Sequence, residues 1–151
     1  HDRFLTLFPE EYPEPGILLS LDISELRSAG LSGPKAGYLH NVAEFFQNEE
    51  LIGKDWSSME NEAIIKYLTQ IKGVGKWTVE MILMFTLNRS DVFPLDDLGI
   101  QQAMQLLYGI EEKGRLLKAK MFETAEKWRP YRTYATWYLW RWKENKKNEI
   151  T

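Results

Sequence analysis

The 151-residue chain has no cysteine, only two histidines, and a net charge of −3. Without cysteine there are no disulfides and no thiolate metal sites, which fits a reducing compartment. No run of 18 apolar residues occurs, so no segment is expected to span a membrane as a helix. A positive excess is also missing. A protein that grips nucleic acid by bulk charge is therefore not indicated, and any such contact must be local, through backbone amides and a few Lys or Arg side chains. Strand-like alternation, internal repeats and low-complexity stretches are absent as well, so the fold is read as all-α. What the chain does have is aromatics: six Trp, seven Tyr and seven Phe. That is more than a core of this size requires, and ring faces are natural platforms for stacking bases.

The chain is organised around the stretch from Tyr67 to Gln102. Leu68, Ile71, Val74, Val79, Ile82, Leu83 and Phe85 fall at helical spacings on either side of Gly73-Val74-Gly75. Two helices joined by so tight a glycine turn form a helix-hairpin-helix, placed at 67–88. The turn leaves amides uncovered at the start of the second helix, where unsatisfied N–H groups and the helix dipole attract phosphate. About twenty residues on, Val92-Phe93-Pro94-Leu95-Asp96-Asp97 opens the next helix.

Elsewhere, His1 to Gly16 reads as an extended, Pro- and aromatic-rich lead-in. Asp22 to Ala29 is a short helix capped by Asp22 or Ser24 and ended by Gly30. Pro34 sits in the first turn of another helix, where its missing N–H costs nothing. Asn48 to Asp55 is a loop, and Ser57-Ser58-Met59-Glu60 offers a capping box to the first hairpin helix. Gly109 ends the aspartate helix, and Glu111 to Lys127 is amphipathic. The last helix opens at Pro130, and the polar tail 143–151 is expected to fray. His40 is read as a helix-surface residue without a role.

Three of these segments together resemble the HhH-GPD superfamily of DNA base-excision glycosylases, in its alkylbase (3-methyladenine DNA glycosylase II) branch. They are the hairpin with its Pro94–Asp97 loop, the run Leu26-Arg27…Gly30-Leu31-Ser32…Lys35-Ala36…Tyr38-Leu39, and the closing Trp128…Pro130-Tyr131-Arg132…Tyr134-Ala135…Leu139-Trp140. The resemblance runs from about Leu18 to Trp140. It implies a compact all-α domain covering 1–151, lacking the family's first helices. The family's opening "Gln-Gln" segment and its duplex-wedging residue would precede His1, so the chain reads as a truncated or cleaved fragment whose N-terminal segment is a partner. The other implied partner is double-stranded DNA with damaged bases, in the cytoplasm of a bacterium or the nucleus of a eukaryote.

The resemblance also assigns roles. Asp97 is the catalytic carboxylate and Asp96 its neighbour and helix cap. Trp77, Trp140 and Met81 line the pocket for the extruded base. Amides around Gly73, Gly75, Lys76 and Thr78, with the Lys72 and Lys76 side chains, hold phosphate. Main-chain carbonyls of Thr69, Ile71 and Val74 hold a structural Na+ or K+, and catalysis needs no cofactor. Trp77 stands where strand-cleaving relatives carry the Lys that forms a Schiff base. An indole cannot form it, and Lys76 points about 100° away around the helix. The expected activity is therefore monofunctional hydrolysis. Trp56, Trp128, Trp137 and Trp142 are read as core or surface. Three rival readings are a non-catalytic helix-hairpin-helix DNA-binding module, a structural all-α interaction domain and a bifunctional glycosylase/lyase.

Overall fold

The protein is described by a computed structural model in which residues 2–49, 51 and 54–149 are placed. Among these residues the secondary structure is entirely helical. The chain divides into two compact units, His1–Lys76 and Trp77–Thr151.

In the first unit, α1 (Asp2–Leu5), a 3-10 turn (Pro9–Glu11) and α2 (Pro15–Ser20) occupy the segment expected to be extended. The reason is aromatic and aliphatic burial. Phe4 and Phe8 meet edge to face at 5.0 Å, and Phe8 is buried with Leu18 and Ala43. Proline opens both the 3-10 turn and α2, where it obstructs no hydrogen bond. Next comes α3 (Ile23–Ser28), with a complete capping box between Asp22 and Glu25. The long α4 (Gly33–Asn48) carries Pro34 in its first turn. Both α2 and α3 pack on α4.

α5 (Asn61–Leu68) buries Ile64 and Leu68. The capping box expected from Ser57 is not formed. Glu60 occupies the N-cap without a side-chain bond, and the Ser57 amide is drawn to the Asp55 carboxylate instead (2.8 Å). His40 is not a free surface residue either: its Nε2 is buried without a hydrogen-bond partner. Part of the expected 48–55 loop, residues 50, 52 and 53, lies outside the described residues.

The second unit is built on α6 (Lys76–Phe85, entered from the first unit), α7 (Leu98–Tyr108), α8 (Gly114–Glu126) and α9 (Arg132–Glu149). α7 packs on both α8 and α9. Ile100, Ala103, Met104, Leu117, Met121, Ala125 and Leu139 form its core with Phe93 and Ile110. Each large aliphatic buried there contributes about 1.5–3 kcal/mol. Gly109 ends α7 in the left-handed conformation (φ 65°), as glycine at a helix end should. The last helix begins two residues beyond Pro130, after a cis Arg129–Pro130 bond. It runs through the segment expected to fray, to Glu149, and Lys146 lies over the Trp142 ring at 4.9 Å. No helix among the described residues is long and apolar enough to cross a membrane.

Candidate active site

The site is built around the residue that caps α7. Asp97 is itself the N-cap: its Oδ1 accepts from the Ile100 amide at 2.8 Å. This corrects the sequence reading, which gave the cap to Asp96. Asp96 turns outward, is exposed, and pairs with Lys118. The cap bond fixes the carboxyl at the mouth of the helix, where the dipole favours its negative charge.

Two indoles complete the cradle. Trp77 Nε1 donates to Asp97 Oδ2 at 2.9 Å, and Trp140 Nε1 donates to Oδ1 at 3.0 Å. These donors come from 20 residues before the aspartate and 43 residues after it. Gly99 makes room for this approach: a Cβ there would lie 3.0 Å from Asp97 Oδ1 and 3.3 Å from the Trp140 ring. Burial disfavours the Asp97 charge. Hydrogen bonds from Trp140, the Ile100 amide, Trp77 and the Gly99 amide more than offset it, and the carboxyl is held below the usual 3.8. A carboxylate has about four acceptor positions, so Oδ2, facing Trp77, keeps capacity for another partner.

An aromatic stack extends from Trp140. Trp140 stacks with Phe85 at 6.1 Å and 16°, and Phe85 with Trp137 at 6.1 Å and 13°. Phe85 is 57% exposed and Trp137 39%. Sequence reasoning missed both as site residues. Phe85 was counted only as a helical-spacing apolar position, and Trp137 as core or surface. The signal available was the three-residue spacing of Trp137 and Trp140, which puts both on one face of α9. Met81, one turn after Trp77, is half-buried. Trp128 and Trp142 pack on the core as expected.

The loop before Asp97 is buckled to the start of α9. Arg132 is 9% exposed and grips Asp91 with two parallel bonds, Nε to Oδ1 at 2.6 Å and Nη2 to Oδ2 at 3.0 Å. Thr133 accepts from the Val92 amide and donates to the Arg89 carbonyl. This explains why Tyr131-Arg132-Thr133 precedes the tryptophans: the same helix start holds the loop and aims the indoles.

The hairpin turn closes the first unit. The Val74 amide donates to the Ile71 carbonyl at 3.0 Å, and Gly73 has φ +99°. Thr69 caps α5 through its amide, and its hydroxyl donates to the Ile65 carbonyl (2.7 Å). Lys72, Gly73, Gly75, Lys76 and Thr78 are all exposed along this run. No cluster of three or more His, Cys, Asp or Glu able to hold a metal exists among the described residues.

A carboxylate at a helix mouth, gripped by two indoles and following a glycine hairpin, defines a helix-hairpin-helix protein with a site suited to cationic chemistry. The chain belongs to the HhH-GPD superfamily of base excision DNA repair proteins, whose family model matches residues 2–130. It is 37% identical over 134 residues to DNA-3-methyladenine glycosylase 1 of Schizosaccharomyces pombe, covering 87% of this chain and 57% of that protein. Its fold matches the structure of the fission-yeast 3-methyladenine DNA glycosylase in complex with abasic DNA, at TM-score 0.80 and 35% identity. That match covers 93% of this chain and 68% of the other. A DNA-3-methyladenine glycosidase from Bacillus halodurans matches equally well, at TM-score 0.80 and 32% identity, over 98% of this chain and 67% of its own. The chain spans about half the length of the curated relatives it matches.

Proposed function

We propose that the protein is a monofunctional DNA glycosylase. It would extrude alkylated, cationic purines such as 3-methyladenine from duplex DNA and hydrolyse the N-glycosidic bond. The observation that carries this reading is the Asp97 carboxylate, kept charged by the Trp77 and Trp140 N–H groups. Glycosidic cleavage passes through an oxocarbenium-like state, and a fixed negative charge beside the sugar C1′ stabilises it. A carboxyl held below its usual pKa is a weak base, so Asp97 acts mainly by charge and by orienting water through its free acceptor capacity. A cationic base needs little help in leaving.

The extruded base would meet Trp77, Met81 and Trp140, with Phe85 and Trp137 extending the stack. Positive charge on the base favours those ring faces. Trp77 in place of an amine means no Schiff base and no strand cleavage. The backbone would be held by amides at Gly73, Gly75, Lys76 and Thr78 and by the Lys72 and Lys76 side chains, which lets a chain of net negative charge engage DNA locally. A monovalent cation, Na+ or K+, would sit on the carbonyls of Thr69, Ile71 and Val74. A carbonyl oxygen has two lone pairs, so Ile71 can serve an ion while accepting from Val74. A further segment carrying the duplex wedge would complete the protein, at work wherever the cell keeps its DNA.

The deciding measurement is release of 3-methyladenine from methylated duplex DNA, unsubstituted protein against Asp97→Asn. Release lowered about a thousandfold, with duplex binding retained, is the expected outcome. Binding without release from either form would leave a non-catalytic DNA-binding hairpin.

A further inference from the structure

We infer that Tyr38 and Asn41 of α4 are positioning residues that set the Ile71–Val74 turn, so that the Gly73 amide faces a phosphate of the duplex; the phosphate half rests on the DNA-binding reading above. The turn has the type II signature: a bond from the Val74 amide to the Ile71 carbonyl at 3.0 Å and positive φ at the third residue. Type I and type II turns differ by a flip of the central peptide, here Lys72–Gly73. Asn41 decides that flip. Its Nδ2 donates to the Lys72 carbonyl at 2.9 Å, from 31 residues away in the chain.

A trans peptide is planar, with its C=O and N–H pointing in opposite directions. Drawing the Lys72 carbonyl onto α4 therefore turns the Gly73 N–H away from α4, outward. A phosphate needs such an uncovered amide. In the flipped turn the carbonyl would face outward and repel an anion.

Tyr38 fixes the same residue from another side. A Cβ on Gly73 would lie 2.3 Å from the Tyr38 ring carbons and 2.8 Å from its Cβ, so the ring lies against one side of the glycine. The positive φ and the ring each demand glycine at 73. Tyr38 and Asn41 lie three residues apart, on one face of α4. Tyr38 belongs to the Leu26–Leu39 run that the sequence singled out and that Asp97 chemistry does not use.

The experiment compares Asn41→Leu, Tyr38→Leu and Tyr38→Phe in the same protein. It reads three quantities: affinity for a duplex carrying an abasic-site analogue, single-turnover base release at saturating DNA, and amide hydrogen exchange at Gly73–Gly75. Both leucine variants should bind about fivefold more weakly, the scale of one lost hydrogen bond. They should release base at the unsubstituted rate once saturated, and exchange faster at the turn alone. Tyr38→Phe, which keeps the ring, should match the unsubstituted protein. Unchanged affinity and exchange in both leucine variants would overturn the inference. So would faster exchange throughout α4 and α5, which marks a merely structural role. If the unsubstituted protein does not bind duplex DNA, the phosphate half falls with the functional reading, and exchange at Val74, whose amide is bonded to the Ile71 carbonyl, decides in Asn41→Leu alone whether Asn41 sets the turn.

Discussion

The carboxylate cradle and the hairpin turn solve opposite electrostatic problems by different means. At Asp97 a negative charge is retained by side-chain donors gathered from across the second unit: Trp77 from α6, Trp140 from α9 and the amides that open α7. At Gly73, on the proposed reading, the backbone itself would be the functional group, and its conformation is held by one residue type and two contacts from α4. The first site depends on long-range packing. The second depends on a local conformation that only glycine enters cheaply.

Gly73→Ala should therefore be the most damaging substitution to stability. It combines a side chain at φ +99° with an overlap on Tyr38, and a loss of about 3 kcal/mol is expected from such strain plus crowding. Urea unfolding of the two forms measures it. Trp140→Phe comes next. It keeps ring stacking on Phe85 but removes one donor to a charged acceptor, worth about 1.5–3 kcal/mol. Base release should fall roughly ten- to hundredfold, while affinity for the duplex barely changes.

The third prediction concerns pH. The Asp97 carboxyl is depressed in the folded protein, so its stabilising charge is fully present above the unfolded value of 3.8 and is lost as pH falls through the lower folded value. Replacing Trp77 and Trp140 together by Phe removes two donors and leaves the burial, so the titration should move upward. Carbon NMR of the Asp97 carboxyl reads that shift directly, and an unmoved titration would mean the indoles do not hold the charge. The smallest effect is expected at Asp96→Asn. Its exposed pair with Lys118 is worth less than about 1 kcal/mol, and both release and stability should stay close to those of the unsubstituted protein. A large loss there would move the carboxylate role from Asp97 to Asp96.

Much of this was legible in the chain. The all-helical fold, the hairpin and the Gly109 stop follow from periodicity and terminal residues, because those signals act over three or four residues; the cap left open between Asp22 and Ser24 falls to Asp22. The choice of Asp97 over Asp96 came from resemblance, and both its cap bond and its indole partners appear only in three dimensions. The lead-in was misjudged because Pro and aromatic content reads as extended chain, whereas burial of Phe8 beside Leu18 and Ala43 draws it into helical turns. The Ser57 cap failed because a nearer acceptor, Asp55, competes for the same backbone. Phe85 and Trp137 were passed over because the stack that joins them to Trp140 is made between α6 and α9, which are far apart in the chain.

The sequence by itself determined the all-helical class, the glycine turn of the hairpin and the stop at Gly109. Those are properties of single residues and of their immediate neighbours. Only the tertiary structure decided that the two indole N–H groups converge on one carboxylate, that Arg132 and Thr133 buckle the preceding loop, and that Asn41 orients the Gly73 peptide. Each joins residues 20 or more positions apart, and such contacts are set by how helices pack, which no local window of sequence records.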